Sequence, residues 1–277
     1  MTRRIVMAAL LLAALAPQLS AGTWLKTVAA AQKVAKEKNQ LILVDMFADW
    51  CGWCHRFERE VFPSAVFQEA TSDIVLLRLD TEDGAEGTQI ARKYGITQLP
   101  TFLLLAPDMT VAGTIRGYLP PNQFVSVLKE TRSSYQKFMT DMKKESSFTS
   151  DHARRLSLAK EFAARSMFEK AEPRLKALTT EKGVPAAIRD EAFFELSLGY
   201  AMQRRYDDAL NTIKSMTALS RRGPHVERAR MMAGQIYMQQ GNVQSARAEF
   251  QSFRKAFPDS PLLRDIEVLE SRLGPAK

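Results

Sequence analysis

The chain has 277 residues, is 45% hydrophobic and 25% charged, and carries a formal net charge of +8. That length suits roughly two domains of about 100–200 residues each, with ordinary soluble globular composition. Only two cysteines are present, three apart at Cys51 and Cys54, which excludes a framework of structural disulfides.

The chain opens with "MTRR", a basic start, followed by a 12-residue apolar run, Ile5–Ala16, and "PQLSAG". This three-part pattern predicts a secretory signal peptide over 1–21. Cleavage after Ala21 is favoured over cleavage after Ala16, which would leave Pro17 first. The run is shorter than the ~20 apolar residues a membrane-spanning helix needs. No cysteine follows it, so no lipoprotein anchor is expected. The expected product is soluble and exported, periplasmic or otherwise outside the cytoplasm, with no transmembrane anchor after cleavage.

Apolar residues at Trp24, Leu25, Val28, Ala31 and Ala35 form a helical stripe. Leu41–Ala48, "LILVDMFA", is a near-continuous run of strand formers, as in a central strand buried on both faces. Asp45 breaks that run, and an unpaired charge in a core strand is costly. "CGWCHRFEREVF" follows directly and reads as a helix with Cys51 in its first turn. The free N–H groups and partial positive charge of a helix start stabilise a thiolate there. Cys51 is expected at the exposed end, with Cys54 shielded one turn inside and able to attack a mixed disulfide on Cys51. A bridge between the two closes a very short loop, so it adds little stability and suits a reversible redox switch.

Asp73–Asp80 reads as a second strand, "TQIARKYGI" as a short helix and "TQLPTFLLLAPD" as a strand with a proline at its mouth. Pro100 cannot donate to a strand ladder, and a cis Leu99–Pro100 peptide would account for it. "TVAGTIRG" is a further strand, and the helix from "PPNQF" onward closes the half with proline at its start.

These residues resemble the thioredoxin family. The resemblance is carried by "LVDMFADWCGWCH", with the acid six positions before the first cysteine, by "KYGITQLPTFLLL", and by Arg116–Gly117. It covers about 120 residues in matching order, and "WCGWC" is closest to the exported thioredoxin-like branch. The spacer Gly52-Trp53 departs from the family's common Gly-Pro, and Arg78 stands where a lysine often accompanies the buried acid. A central mixed sheet flanked by helices is therefore expected over 22–145.

Cys-x-x-Cys-His is also the attachment sequence for c-type haem. Haem would need thioether links at both cysteines and His55 as iron ligand. It needs neither the upstream acid nor the proline loop 46 residues after Cys54, and both are present. No cofactor beyond the cysteine pair is expected. No metal is expected either, since only Cys51, Cys54 and His55 cluster and a structural zinc site takes four ligands.

A polar, serine-rich linker is expected over 146–151, after which the chain reads as helical throughout. Ala171, Ala209 and Ala246 align at periods of 38 and 37. Three positions earlier lie Phe168, Tyr206 and Val243; nine earlier lie Phe162, Tyr200 and Tyr237; four later lie Leu175, Ile213 and Phe250. Each unit reads as a helix pair in which the alanine permits close approach. The pattern resembles the tetratricopeptide repeat, best in Ala233–Pro261 and weakest in the first copy. An all-α repeat domain is expected over 152–277, with copies at 152–185, 190–224 and 227–260 and a capping helix at 261–273. Residues 150–277 carry 22 Lys+Arg against 16 Asp+Glu, spread along helices as a solvated face and not as a nucleic-acid patch.

The reading is an exported thiol–disulfide oxidoreductase acting on protein thiols and disulfides, with a membrane or soluble redox partner and a protein or peptide ligand on the repeats. Cys51 is the nucleophile, Cys54 the resolving thiol, and Asp45 the proton carrier. Leu99 and Pro100 offer backbone to a client strand. Trp50 and Trp53 give apolar contact, and Gly52, Trp53 and His55 tune the pair. The alternative is an adaptor built on the repeats, with a vestigial or regulatory redox site.

Overall fold

A computed structural model describes residues 23–273; the expected signal peptide lies outside the described residues. The chain divides into two compact units between Thr131 and Arg132.

In the first unit the order is α1 (Val28–Lys38), β1 (Ile42–Phe47), α2 (Gly52–Glu60), α3 (Ala65–Ala70), β2 (Val75–Asp80), α4 (Glu86–Lys93), β3 (Thr101–Leu105), β4 (Val111–Arg116) and α5 (Pro121–Lys143). The division between units falls inside α5. The strands form one sheet in the order β2-β1-β3-β4, with β1 parallel to β2 and antiparallel to β3, and β3 antiparallel to β4. β1 is thus central, and its first five residues are buried, as its continuous apolar run demands.

Side chains alternate across the sheet. Ile42, Val44 and Met46 join Leu77, Leu103 and Leu105 and the helix alanines Ala31 and Ala35 in one core layer. Asp45 alternates with Val44 and Met46 and so projects to the opposite face, beside its ladder partner Phe102. Rings fill that face: Phe57 lies 4.6 Å from Phe102 and 5.1 Å from Phe124, and Phe62 lies 5.3 Å from Phe67.

The first helix is shorter than its stripe implied. Trp24 and Leu25 precede it in extended chain, because the Leu25 N–H donates to the Leu76 carbonyl (2.9 Å) and the Arg78 N–H to the Leu25 carbonyl (3.0 Å). Thr27 then caps α1 by accepting from the Ala30 N–H. The short helix α3 was not expected. Ser64 starts it, its hydroxyl accepting from the Phe67 N–H, and it buries Phe67 among the rings.

The second unit begins with the remainder of α5, whose Phe138 is buried in that unit's core with Tyr135, Met139 and Met142 packed on it. A 3₁₀ turn at Glu145–Ser147 follows, and Asp151 caps α6 (His152–Ala164) by accepting from the Arg154 N–H at 2.9 Å. Then come α7 (Phe168–Thr180), α8 (Ala186–Met202), α9 (Tyr206–Leu219), α10 (Pro224–Gln239), α11 (Val243–Ala256) and α12 (Leu263–Ser271). The pairs α6·α7, α8·α9 and α10·α11 pack together, and the first helices of successive pairs neighbour one another. Among the described residues no helix is long and apolar enough to cross a membrane.

Ala171, Ala209 and Ala246 are all fully buried, and the position four later is buried in every copy as Leu175, Ile213 or Phe250. The position three earlier varies: Phe168 is buried, Tyr206 half-buried and Val243 exposed. Close approach is completed by two glycines. A Cβ on Gly199 would lie 1.8 Å from the Phe168 ring, and one on Gly234 would lie 2.1 Å from the Phe250 ring. Gly234→Ala is therefore expected to lower the unfolding free energy by about 1–3 kcal/mol through overpacking, read by urea denaturation.

Candidate active site

Chain direction sets the site. β1 runs along the centre of the sheet and ends at Phe47; Ala48, Asp49 and Trp50 turn the chain, the Cys51 N–H donating to the Ala48 carbonyl at 3.0 Å. Cys51 is the N-cap of α2, with extended backbone at φ −78° and ψ 92°. Its Sγ accepts from the Cys54 N–H at 3.1 Å, which places this sulfur at the partially positive start of the helix. Cys51 and Cys54 are joined as a disulfide, with Cα atoms 5.2 Å apart.

One expectation is corrected. Cys51 is 3% exposed and Cys54 2% exposed, so Cys51 is not the open end of the pair. The bridge ties the Cys51 side chain back over the first turn toward buried Cys54, where it also takes the Cys54 N–H. The exposed surface beside the pair is aromatic instead: Trp50 is 68% exposed and Trp53 54%. Trp50 is not core packing, and its Nε1–H donates to Glu82 Oε1 at 2.8 Å.

Asp45 is buried on β1, where it faces Arg78 on β2 and Phe102 on β3. Arg78 Nε lies 3.1 Å from Asp45 Oδ2, an ion pair without hydrogen-bond alignment, and Oδ1 has no hydrogen-bond partner. Burial pushes the Asp45 carboxyl up from 3.8 to about 7, with the charges of Arg78 and then Lys26 pulling the other way. The Arg78 guanidinium lies 4.0 Å from the Phe47 ring centroid and pairs at its far end with Glu58 on α2. Glu58 in turn lies 3.7 Å from His55 Nδ1, and His55 Nε2 lies 2.8 Å from the Asp49 carbonyl. A chain of polar side chains thus runs from the buried carboxyl through Arg78 and Glu58 to His55 at the surface. Arg78 stood out in the sequence. Glu58 did not, although an acid one helical turn past Cys54 was a readable signal.

The Leu99–Pro100 peptide is cis, and Pro100 is buried. Thr101 pairs with Met46, which puts this loop at the same end of the sheet as the Cys51 turn. The Pro100 carbonyl accepts from the Gly117 N–H at 2.9 Å, and the loop is closed by Thr101 Oγ1 donating to the Gln98 carbonyl at 2.8 Å. Leu99 is half-buried. Gly52 has open space around its Cα, so nothing in its packing demands glycine.

A model of the thioredoxin-like domain matches residues 28–132. These residues form a thioredoxin-like domain. Within the second unit a tetratricopeptide-repeat model matches residues 194–261, which takes in α9, α10 and α11 and most of α8; the first copy lies outside that match. The thioredoxin-like domain is 34% identical over 103 residues to the thiol:disulfide interchange protein DsbD of Pseudomonas fluorescens, a match covering 36% of this chain and 18% of that protein. It is 38% identical over 90 residues to the protein of the same name from a Pseudomonas species, covering 31% and 16%. The chain therefore spans less than a fifth of the length of these curated relatives. Among solved structures, a putative disulphide-isomerase from Bacteroides thetaiotaomicron is 29% identical, with a TM-score of 0.36 over 39% of this chain and 91% of that one.

In the repeats, a recess of about 770 Å³ lies between α9, α10 and α11, lined among others by Asp207, Asn211, Lys214, Arg230 and Tyr237. The first helices of the pairs carry a charged row, in which Lys160 pairs with Glu191 and lies 3.9 Å from Glu195, and Glu191 lies 3.9 Å from His225. Among the described residues no cluster of three or more His, Cys, Asp or Glu could hold a metal ion.

Proposed function

We propose that the chain is an exported thiol–disulfide oxidoreductase that acts on protein disulfides through Cys51 and Cys54, while its helical repeats hold a client or partner protein. The observation that carries the reading is the Cys51–Cys54 disulfide at the helix start, directly after a strand that buries the Asp45 carboxyl. The names of the curated relatives support the same chemistry, and the basic start and apolar run at 1–21 support export.

In the reducing direction the Cys51 thiolate attacks one sulfur of a client disulfide. A mixed disulfide forms and the client's other sulfur leaves as a thiolate. Asp45 takes the proton of Cys54, directly or through water. The Cys54 thiolate attacks Cys51 Sγ, the intramolecular disulfide forms, and the client leaves with its second thiol. Two electrons pass to the client. In the oxidising direction a client thiolate attacks the Cys51–Cys54 disulfide and the same steps run in reverse. Leu99 and Pro100 lie beside the client strand, Trp50 and Trp53 give it apolar contact, and Gly52, Trp53 and His55 set the poise of the pair.

The test is catalytic turnover of insulin disulfides by the full chain with a dithiol as electron source. Turnover well above the dithiol alone supports the reading, and a rate equal to the dithiol alone overturns it. Trapping thiols in intact cells then reads the direction: a mostly reduced pair marks a reductase fed by a redox partner, and a mostly oxidised pair marks a disulfide donor.

A further inference from the structure

Trp53 sits between the two cysteines, on the first turn of α2, and over half of it is exposed. It is nonetheless held. Its ring lies 5.3 Å from the ring of Tyr118, tilted by 33°. The Arg56 guanidinium lies 5.5 Å from the Trp53 ring centroid and 4.6 Å from that of Tyr118. Glu60 joins both, accepting from the Tyr118 hydroxyl and from Arg56 Nε at 2.9 Å. Underneath, the Tyr118 ring meets buried Phe57 edge-on at 5.5 Å, which anchors the group to the aromatic core. The backbone supports the same arrangement. Tyr118 follows Gly117, whose φ of 79° makes the turn out of β4 and whose N–H bonds to the Pro100 carbonyl. The Trp53 turn, the Leu99–Pro100 loop and the Gly117–Tyr118 turn are therefore tied into one rim.

Ordering an indole that is more than half exposed costs side-chain freedom that its partial burial offsets only in part. A flat, pre-ordered aromatic wall beside a reactive pair lowers the cost of seating an apolar group on it. We propose that Tyr118, Arg56 and Glu60 are positioning residues that hold Trp53 as a wall for the client. On this basis the site favours protein disulfides with an aromatic or aliphatic side chain next to the reacting cysteine over small disulfides, which have nothing to lay on the wall. The proposal rests on the oxidoreductase reading above.

The test compares full-length wild type with Tyr118→Ala, Tyr118→Phe and Arg56→Met on two substrates, insulin and oxidised glutathione, with a dithiol as electron source. The readout is the ratio of kcat/KM for insulin to that for glutathione. Tyr118→Ala is expected to lower that ratio roughly fivefold, mainly through a higher KM for insulin, with smaller falls for Arg56→Met and for Tyr118→Phe, which keeps the ring and loses the bond to Glu60. Tryptophan fluorescence should shift in the same order as the indole is released. A ratio unchanged in all three variants, or a loss confined to kcat, overturns the wall and leaves the oxidoreductase reading intact. Wild type inactive on both substrates overturns both. If Tyr118→Ala fails to fold, the other two variants decide the question.

Discussion

Cys51→Ser is expected to abolish turnover of protein disulfides, and Cys54→Ser to stall the chain as a mixed disulfide with its client. Both cysteines are buried, so exposure does not separate the proposed roles; position at the helix start does. The Cys51 sulfur caps α2 by accepting the Cys54 N–H at the positive end of the helix, which favours the anion in the proposed attack. Cys54 lies inside the first turn and donates its own N–H to Cys51. A serine at 51 retains the cap and forms no disulfide, so the loss is complete in an insulin assay. A serine at 54 leaves the attacking sulfur and removes the group that releases the client, so a covalent adduct should accumulate on non-reducing gels and vanish with excess dithiol. Equal residual activity in both variants would contradict the assignment.

Asp45→Asn is expected to have the second large effect, and the size of its effect on stability depends on pH. The folded chain holds this carboxyl near 7 instead of 3.8, because burial favours the neutral form. Folding therefore favours the protonated acid. The stability Asp45 contributes is full below the ordinary value of 3.8 and is lost as pH rises through about 7. At about 1.4 kcal/mol per pH unit the loss is on the order of 4 kcal/mol. Asparagine cannot ionise, so the variant should lack this slope. In urea denaturation of the oxidised protein it should match wild type near pH 4 and exceed it by a few kcal/mol at pH 8. Turnover should move the opposite way, falling by an order of 10² as the proton carrier for Cys54 is lost. A variant with the same pH slope as wild type would show that Asp45 is not the titrating group.

Much of the N-terminal unit was legible because strong local signals agreed. A charged residue in an otherwise apolar strand, a cysteine pair directly after it and a proline at the mouth of another strand each break a local rule, and such breaks gather at sites. The repeat was legible because Ala171, Ala209 and Ala246 are the positions where two helices meet. What could not be read depends on contacts between distant segments. Tyr118 follows the last strand and meets Glu60 58 positions away in the chain. Arg78 reaches Glu58 only because the β1–β2 ladder and α2 bring them together. The division of the chain inside α5 was equally hidden. The helical pattern runs through it without a break, and only the burial of Phe138 among residues of the second unit reveals the change. Leu25 was misassigned to a helix because its spacing fits one, while its backbone bonds to β2 decide otherwise.

A helix whose cap is one of two redox-active atoms has an uncommon property. In most helices the capping group is chemically constant. In the proposed reaction the same sulfur that caps the start of α2 alternates between a neutral bridge and a free thiolate. Gaining electrons places a negative charge where the dipole of α2 is most positive. In the proposed reaction the electron count of the pair is thereby coupled to the charge at the start of the turn that bears Trp53.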